Sequence, residues 1–322
     1  MKRGKWLLVI GIGSATLVGA SASMWAQSPG PAQAGGRPGR EQLPQPVYRV
    51  PSGQGGAQAA GPATPGQQPT SVAANTNNAL PQQPEAVAQP EHPLVPALQI
   101  AYAALNNIRT NIRDYSCTMT KRERIDGKLN DMEFLHLRVR HEPFSVYMYF
   151  LGPERLRGQE AMYVANKNAG NLLGHAGSGV RKLAGTVQLA PTGVMAMAGQ
   201  RYPITEIGML NLTKRLIEVA EQDKMFGECD VKFFKGAKIN NRTCLCIKVV
   251  HPVPRKNFRF HEARVYVDDE LNLPVRYEAY DWPERQGGPP LLLEEYTYTD
   301  IKINQGFTDQ TFDEYNPEYH FH

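Results

Sequence analysis

Glu294 and Glu295 form the most conspicuous carboxylate pair in the chain. Two carboxylates flanking a bond are the machinery of glycoside hydrolysis. Neighbours on a strand, however, project to opposite faces, so these two cannot act together on one substrate. Asp268, Asp269 and Glu270 make a denser acidic cluster, but without the spacing of a calcium-binding loop they read as a solvated turn. His261-Glu262 lacks the second histidine of a zinc protease helix and sits in a strand-like context. His320 and His322 lie two apart near the carboxyl end with no third ligand at fixed spacing. "GSGVRK" has the glycines of a phosphate loop without its full spacing, and no Gly-x-Ser-x-Gly motif occurs. The expectation is a non-enzymatic protein with no catalytic residue, no metal site and no cofactor.

The amino terminus points to export. Lys2, Arg3 and Lys5 precede the apolar run "WLLVIGIGSATLVGA" and then small residues, the three-part layout of a secretory signal peptide. Ala20-Ser21-Ala22 and Ala26 offer cleavage sites. The run is shorter than the roughly 20 residues of a spanning helix, which favours cleavage over an anchor. Residues 1–26 are therefore assigned to the signal, and the protein is expected in the periplasm or cell envelope. Losing those three cations takes the formal charge of +4 close to neutrality, which leaves no electrostatic footprint for nucleic acid. An exported chain can form disulfides. Cys117, Cys229, Cys244 and Cys246 allow three full pairings, although Cys244 and Cys246 would share one strand face and cannot easily bond to each other. One disulfide or none is the first reading, a reactive thiol the second and a metal site the last.

Residues 27–95 are rich in Pro, Gly, Gln and Ala, and Gln27 to Pro93 holds 13 of the 25 prolines. Such a composition cannot bury enough apolar surface to offset its ordering entropy, so the segment reads as a disordered spacer. The folded domain is placed at 96–322. Leu98, Ala101, Leu105, Ile108 and Ile112 recur at helical spacing and predict an amphipathic helix ending near Asp114. Tyr115, Cys117 and Met119 then alternate with polar residues, as on a strand. "IDGK" carries the Asp-Gly hairpin signal. The next strand, "MEFLHLRVR", puts Leu135, Leu137 and Val139 on one face and Phe134, His136, Arg138 and Arg140 on the other.

A turn at Glu142-Pro143 sets the register of the following strand, "VYMYF". Val139 then faces Val146, Leu137 faces Met148 and Leu135 faces Phe150 on an aliphatic face. Arg138 meets Tyr147 and His136 meets Tyr149 on a basic, solvent-tolerant one, where cation–π contact can add to the pairing. Further on, "PITEIGMLNLTKRLIEVAEQDK" reads as a helical region with Pro203 in its first turn. "CDVKFFKGAKI", "TCLCIKVV", "HEARVYVD", "LPVRYEAYDW" and "LLLEEYTYTDIKIN" read as strands. This order of elements predicts an α+β fold: one strongly curved antiparallel sheet with helices on one face.

The segments "DYSCTMTKRERIDGKL", "RYPITEIGMLNLTKRL", "FHEARVYVDDELNLPVRYEAYDWP" and "LLLEEYTYTDIKINQGFTDQTFDEYNPEY" resemble the bacterial domain of unknown function 1571 family, over about Pro96 to the end. That family is in turn similar to the periplasmic lipoprotein carriers LolA and LolB. The resemblance implies an unclosed β-barrel whose concave face holds acyl chains under a lid of helices, with no active-site residue to carry over. Leu135, Leu137, Val146, Met148 and Phe150 are the candidate ligand-lining residues. The expected partner is a lipid or lipoprotein, with peripheral contact to a membrane. The alternative is a cell-envelope sensor or interaction protein of the same fold, acting through a protein partner.

Overall fold

The computed structural model describes residues 48–49 and 91–322. The signal segment and nearly all of the spacer lie outside them. Among the described residues no helix is long and apolar enough to cross a membrane.

Helix α1 (Val95–Asn111) begins with Pro96 in its first turn, where a missing N–H costs nothing. Its Leu98, Leu105 and Ile108 are buried, so the apolar stripe read from the sequence is the packing face. Asn304 holds the other end. Its side-chain amide donates to the Asn111 carbonyl at 2.8 Å, and its side-chain oxygen accepts the Arg113 N–H at 2.9 Å.

Strand β2 (Asp114–Ile125) follows, then the short β3 (Lys128–Leu129). The Asp126-Gly127 turn between them has φ of 48° and 77°, the left-handed pair that Asp-Gly suits. Strands β4 (Glu133–Arg140), β5 (Ser145–Gly152), β6 (Glu160–Val164), β7 (Leu172–His175) and β8 (Thr186–Leu189) complete one antiparallel meander. Two helices come next, the short α2 (Val194–Met197) and the long α3 (Met209–Asp223). A second meander then runs through β9 (Asp230–Ile239), β10 (Arg242–Val250), β11 (Glu262–Asp268), β12 (Pro274–Asp281) and β13 (Leu291–Ile303). β1 (Tyr48–Arg49) adds two residues to the edge of β9.

The meanders join where β13 pairs with β2, giving the order β1-β9-β10-β11-β12-β13-β2-β4-β5-β6-β7-β8 with β3 beside β2. The end strands do not pair with each other, so the large antiparallel sheet is not closed. The β4–β5 register is the expected one, with Val139 opposite Val146, Leu137 opposite Met148 and Leu135 opposite Phe150.

One face of the sheet carries the main core. Tyr115, Cys117, Met119, Leu135, Leu137, Val146, Met148 and Phe150 pack there with Ile108 and Ile112 of α1 and its end, and with Met209 of α3. Gly208 sets the approach of α3. A Cβ on it would stand 2.8 Å from the Tyr115 hydroxyl, and its φ is 102°. That closeness lets Tyr115 accept the Met209 N–H at 3.0 Å, one of the donors a helix start leaves without an internal partner. The two helices also hold each other. Leu98 and Leu105 of α1 meet Ile217 of α3, and the Tyr102 hydroxyl donates to Glu221 at 3.0 Å.

The opposite face of β4–β7 departs from expectation. The sequence predicts a basic, solvent-tolerant face, but the carboxyl-terminal segment covers it. Tyr319 stacks on Tyr147 at 3.9 Å, and Phe312 and Phe321 are buried beside them. Arg138 pairs with Glu318 at 2.8 Å and Arg140 with Asp309 at 2.9 Å. The cation–π partners are therefore Tyr319 for Arg138 and Phe312 for Arg140, supplied from the far end of the chain. His320 reaches the fully buried Glu160, Nδ1 to Oε1 at 2.6 Å.

Candidate ligand-binding site

Beneath α1 and α3 lies a cavity of about 870 Å³, within the roughly 300–1,000 Å³ range of small-molecule sites. Small side chains on both walls leave it open. Ala97, Ala101 and Ala104 line it from one face of α1, at helical spacing, and Ala263 and Ala279 line it from β11 and β12. Leu94, Leu98, Ile247, Val249, Val265 and Val267 extend the apolar wall.

A polar cluster in the lining is put there by strand alternation. Met119, Lys121 and Glu123 share a face of β2, and Glu294, Tyr296 and Tyr298 share the matching face of β13. Glu123 is directly opposite Glu294. The Tyr296 hydroxyl lies between them, 2.6 Å from Glu123 and 3.3 Å from Glu294. Arg201 and Tyr202, from the segment leading into α3, close the cluster. Arg201 Nε is 2.8 Å from Glu294, the Tyr202 hydroxyl donates to Glu294 at 3.1 Å, and the Arg201 N–H donates to Glu123 at 3.1 Å. Lys121 pairs with Glu123 at 3.4 Å and Glu133 at 3.3 Å, and it also bonds Gln200.

Burial dominates the electrostatics. It pushes the Glu294 carboxyl up, against the opposing pull of Arg201. It raises Tyr202 to about 12 and drives Tyr277 and Tyr296 well above the ordinary phenol value, with Glu294 as the next cause in each case. These phenols stay protonated, so they present O–H groups rather than nucleophiles. The cluster offers hydrogen bonds and paired charge to a polar group at one end of an apolar hollow.

Glu295, on the other face, pairs with Arg276 and Arg122, both at 2.6 Å. The adjacent glutamates are thus separated as strand geometry requires. Glu123 was the missed partner of Glu294. Its signal was present, since Tyr115, Cys117, Met119, Lys121 and Glu123 alternate in one unbroken series.

Leu135, Leu137, Val146, Met148 and Phe150 come together as expected, but in the packed core, and none of them lines the cavity. Ile204, Ile207, Leu210 and Leu212, which lead into and begin α3, pack against that core and occupy the space above it. The four cysteines are free and buried. Burial raises every thiol, Cys229 and Cys246 to about 11 and Cys244 to about 12, and Cys117 further still. Raised thiols are poor nucleophiles, which removes the reactive-thiol reading.

The fold and cavity define an α+β domain built on one open antiparallel sheet, with a hollow under its two long helices. The chain belongs to the family described as Protein of unknown function (DUF1571), whose model matches residues 112–321. No curated protein matches the sequence. Among solved structures, the chain is similar to a putative outer membrane lipoprotein-sorting protein domain from Vibrio parahaemolyticus, with 13% identity and a TM-score of 0.33 over 67% of this chain and 96% of that one. It is similar to the lipoprotein LppX of Mycobacterium tuberculosis at 12% identity and a TM-score of 0.38, over 68% and 100% of the two chains. A LolA superfamily protein from Nitrosomonas europaea aligns at 10% identity and a TM-score of 0.28, over 67% and 97%.

Proposed function

We propose that this domain is an exported, non-enzymatic binding protein that holds the acyl chain of a lipid or lipoprotein in the hollow beneath α1 and α3. In this reading the helix-covered face is the concave side of an unclosed barrel of the LolA/LolB kind. The observation that carries the proposal is the cavity itself: about 870 Å³, apolar over most of its wall, with a hydrogen-bonding cluster at one part. An acyl chain suits the apolar wall, which gains by removal from water. A polar head suits Tyr202, Tyr296 and Glu294. Leu135, Leu137, Val146, Met148 and Phe150 serve as the platform on which α3 rests.

Uptake of a fluorescent fatty acid by the purified protein, with mass spectrometry of organic extracts, tests this. The wild type should bind the probe. Ala279→Phe, which places a ring in the hollow, should remain folded and lose most of the uptake. Protein free of extractable lipid that also ignores the probe would remove the proposal.

A further inference from the structure

Two segments meet at one end of the cavity and stay exposed where a folded core would hide them. The first is the turn after α3, where Met225 is 73% exposed and Phe226 45%. The second is the loop from His251 to Phe260, where Val253 is 48% exposed. They lie side by side. Phe226 meets Phe258 edge-on at 5.9 Å, and Arg255 forms two hydrogen bonds to Glu228, of 2.8 and 2.9 Å. Asp223, Lys256, Phe258, Arg259 and Phe260 of these segments also line the cavity, so the apolar tips stand at its rim.

Lys224 is paired with Glu221 and Arg255 with Glu228. Lys256 and Arg259 are exposed and within ion-pair distance of no carboxylate among the described residues, with Arg259 acting on the Asp223 carboxyl from further off. Scattered exposed apolar residues are ordinary on a protein surface. Three of them beside two exposed cations, on the lip of an apolar hollow, are a more specific arrangement. Apolar side chains that enter the headgroup region, flanked by Lys and Arg, are the composition that binds an anionic bilayer surface.

We propose that this lip, formed by Met225, Phe226 and Val253 with Lys256 and Arg259, docks the domain on an anionic lipid bilayer and sets the cavity rim against it. The proposal rests on the lipid-binding reading and adds the surface through which ligand is exchanged. Met225 and Val253 insert, while Lys256 and Arg259 meet lipid phosphates. Phe226 is braced by Phe258 and holds the two segments together.

Co-sedimentation of the exported protein with vesicles tests the proposal. Binding should be clear on vesicles containing phosphatidylglycerol, weak on pure phosphatidylcholine, and should fall as salt rises. Lys256→Gln should weaken it about fivefold, the worth of one basic residue near an anionic surface. The double variant Met225→Ser, Val253→Ser should abolish most of it, whereas Leu183→Ser, at a residue 87% exposed elsewhere, should leave it unchanged. Equal binding by the wild type and the lip variants, no preference for anionic vesicles, or no binding at all would overturn the proposal. Uptake of a fluorescent fatty acid from aqueous solution separates the two readings. Intact uptake without vesicle binding defeats the lip alone, and vesicle binding without uptake defeats the carrier reading alone.

Discussion

His251 lies fully buried at the end of β10, stacked on Phe258 at 3.9 Å. Its Nδ1 is 3.1 Å from the Phe260 carbonyl, so that nitrogen carries the proton. Nε2 then turns its lone pair toward the Asp223 carboxyl at 3.4 Å. Burial pushes Asp223 up to about 6, with Arg259 opposing, and it lowers His251. Both shifts favour the neutral pair, held side by side where the end of α3 meets the sheet. The signs of the two stability effects differ. A carboxyl raised in the folded state binds its proton more tightly there than in the unfolded chain, so its contribution falls as pH climbs from about 4 to about 6. The lowered imidazole works the other way, costing stability as pH drops below its ordinary value. Asp223→Asn isolates the carboxyl, because the amide keeps its size and polarity without titrating. Between pH 5 and pH 7.5 the wild-type melting temperature should drop by several degrees relative to this variant. Protection factors against hydrogen exchange at the end of α3 should fall over the same interval in the wild type only.

At the scale of elements, the strands were legible wherever alternation is local. "MEFLHLRVR" and "VYMYF" display their faces in their own residues, and the Asp126-Gly127 and Asn240-Asn241 turns mark their hairpins. The cover on the aromatic face was not legible, because Tyr147 and Tyr149 meet partners more than 150 residues away, and no periodicity connects them. The segment "YHFH" places Tyr319 on Tyr147, His320 on Glu160 and Phe321 in the cluster beside them. Tyr319 is 8% exposed and its hydroxyl bonds both Arg138 and the Thr311 carbonyl. Tyr319→Ala should therefore cost about 3 kcal/mol, the scale of a buried aromatic truncation. A shift of the urea midpoint at unchanged slope would register it. A neutral result would mean that the segment rests on the sheet without stabilising it.

For the whole molecule, the same reasoning separates volume filled from volume withheld. A core announces itself through large apolar residues in phase, which is why Leu135, Leu137, Val146, Met148 and Phe150 stood out. A hollow is made by what is missing: alanines on α1 facing alanines on β11 and β12, brought together across a sheet whose two meanders join only when β13 meets β2. Ala101 sat in plain view within the helical stripe, but nothing in α1 alone says that no large side chain will meet it. The distinction has a thermodynamic consequence. A ligand that binds only the folded state at 100 times its dissociation constant adds about 2.7 kcal/mol, or roughly 5–10 °C for a domain of this size. Leu137→Ala should lower the melting temperature through a core cavity worth about 2–5 kcal/mol, yet keep the full upward shift on adding oleate. Ala279→Phe should change the ligand-free melting temperature less and lose the oleate shift. The opposite pattern, with the shift lost in Leu137→Ala and kept in Ala279→Phe, would move the binding surface back to the aliphatic face of β4 and β5.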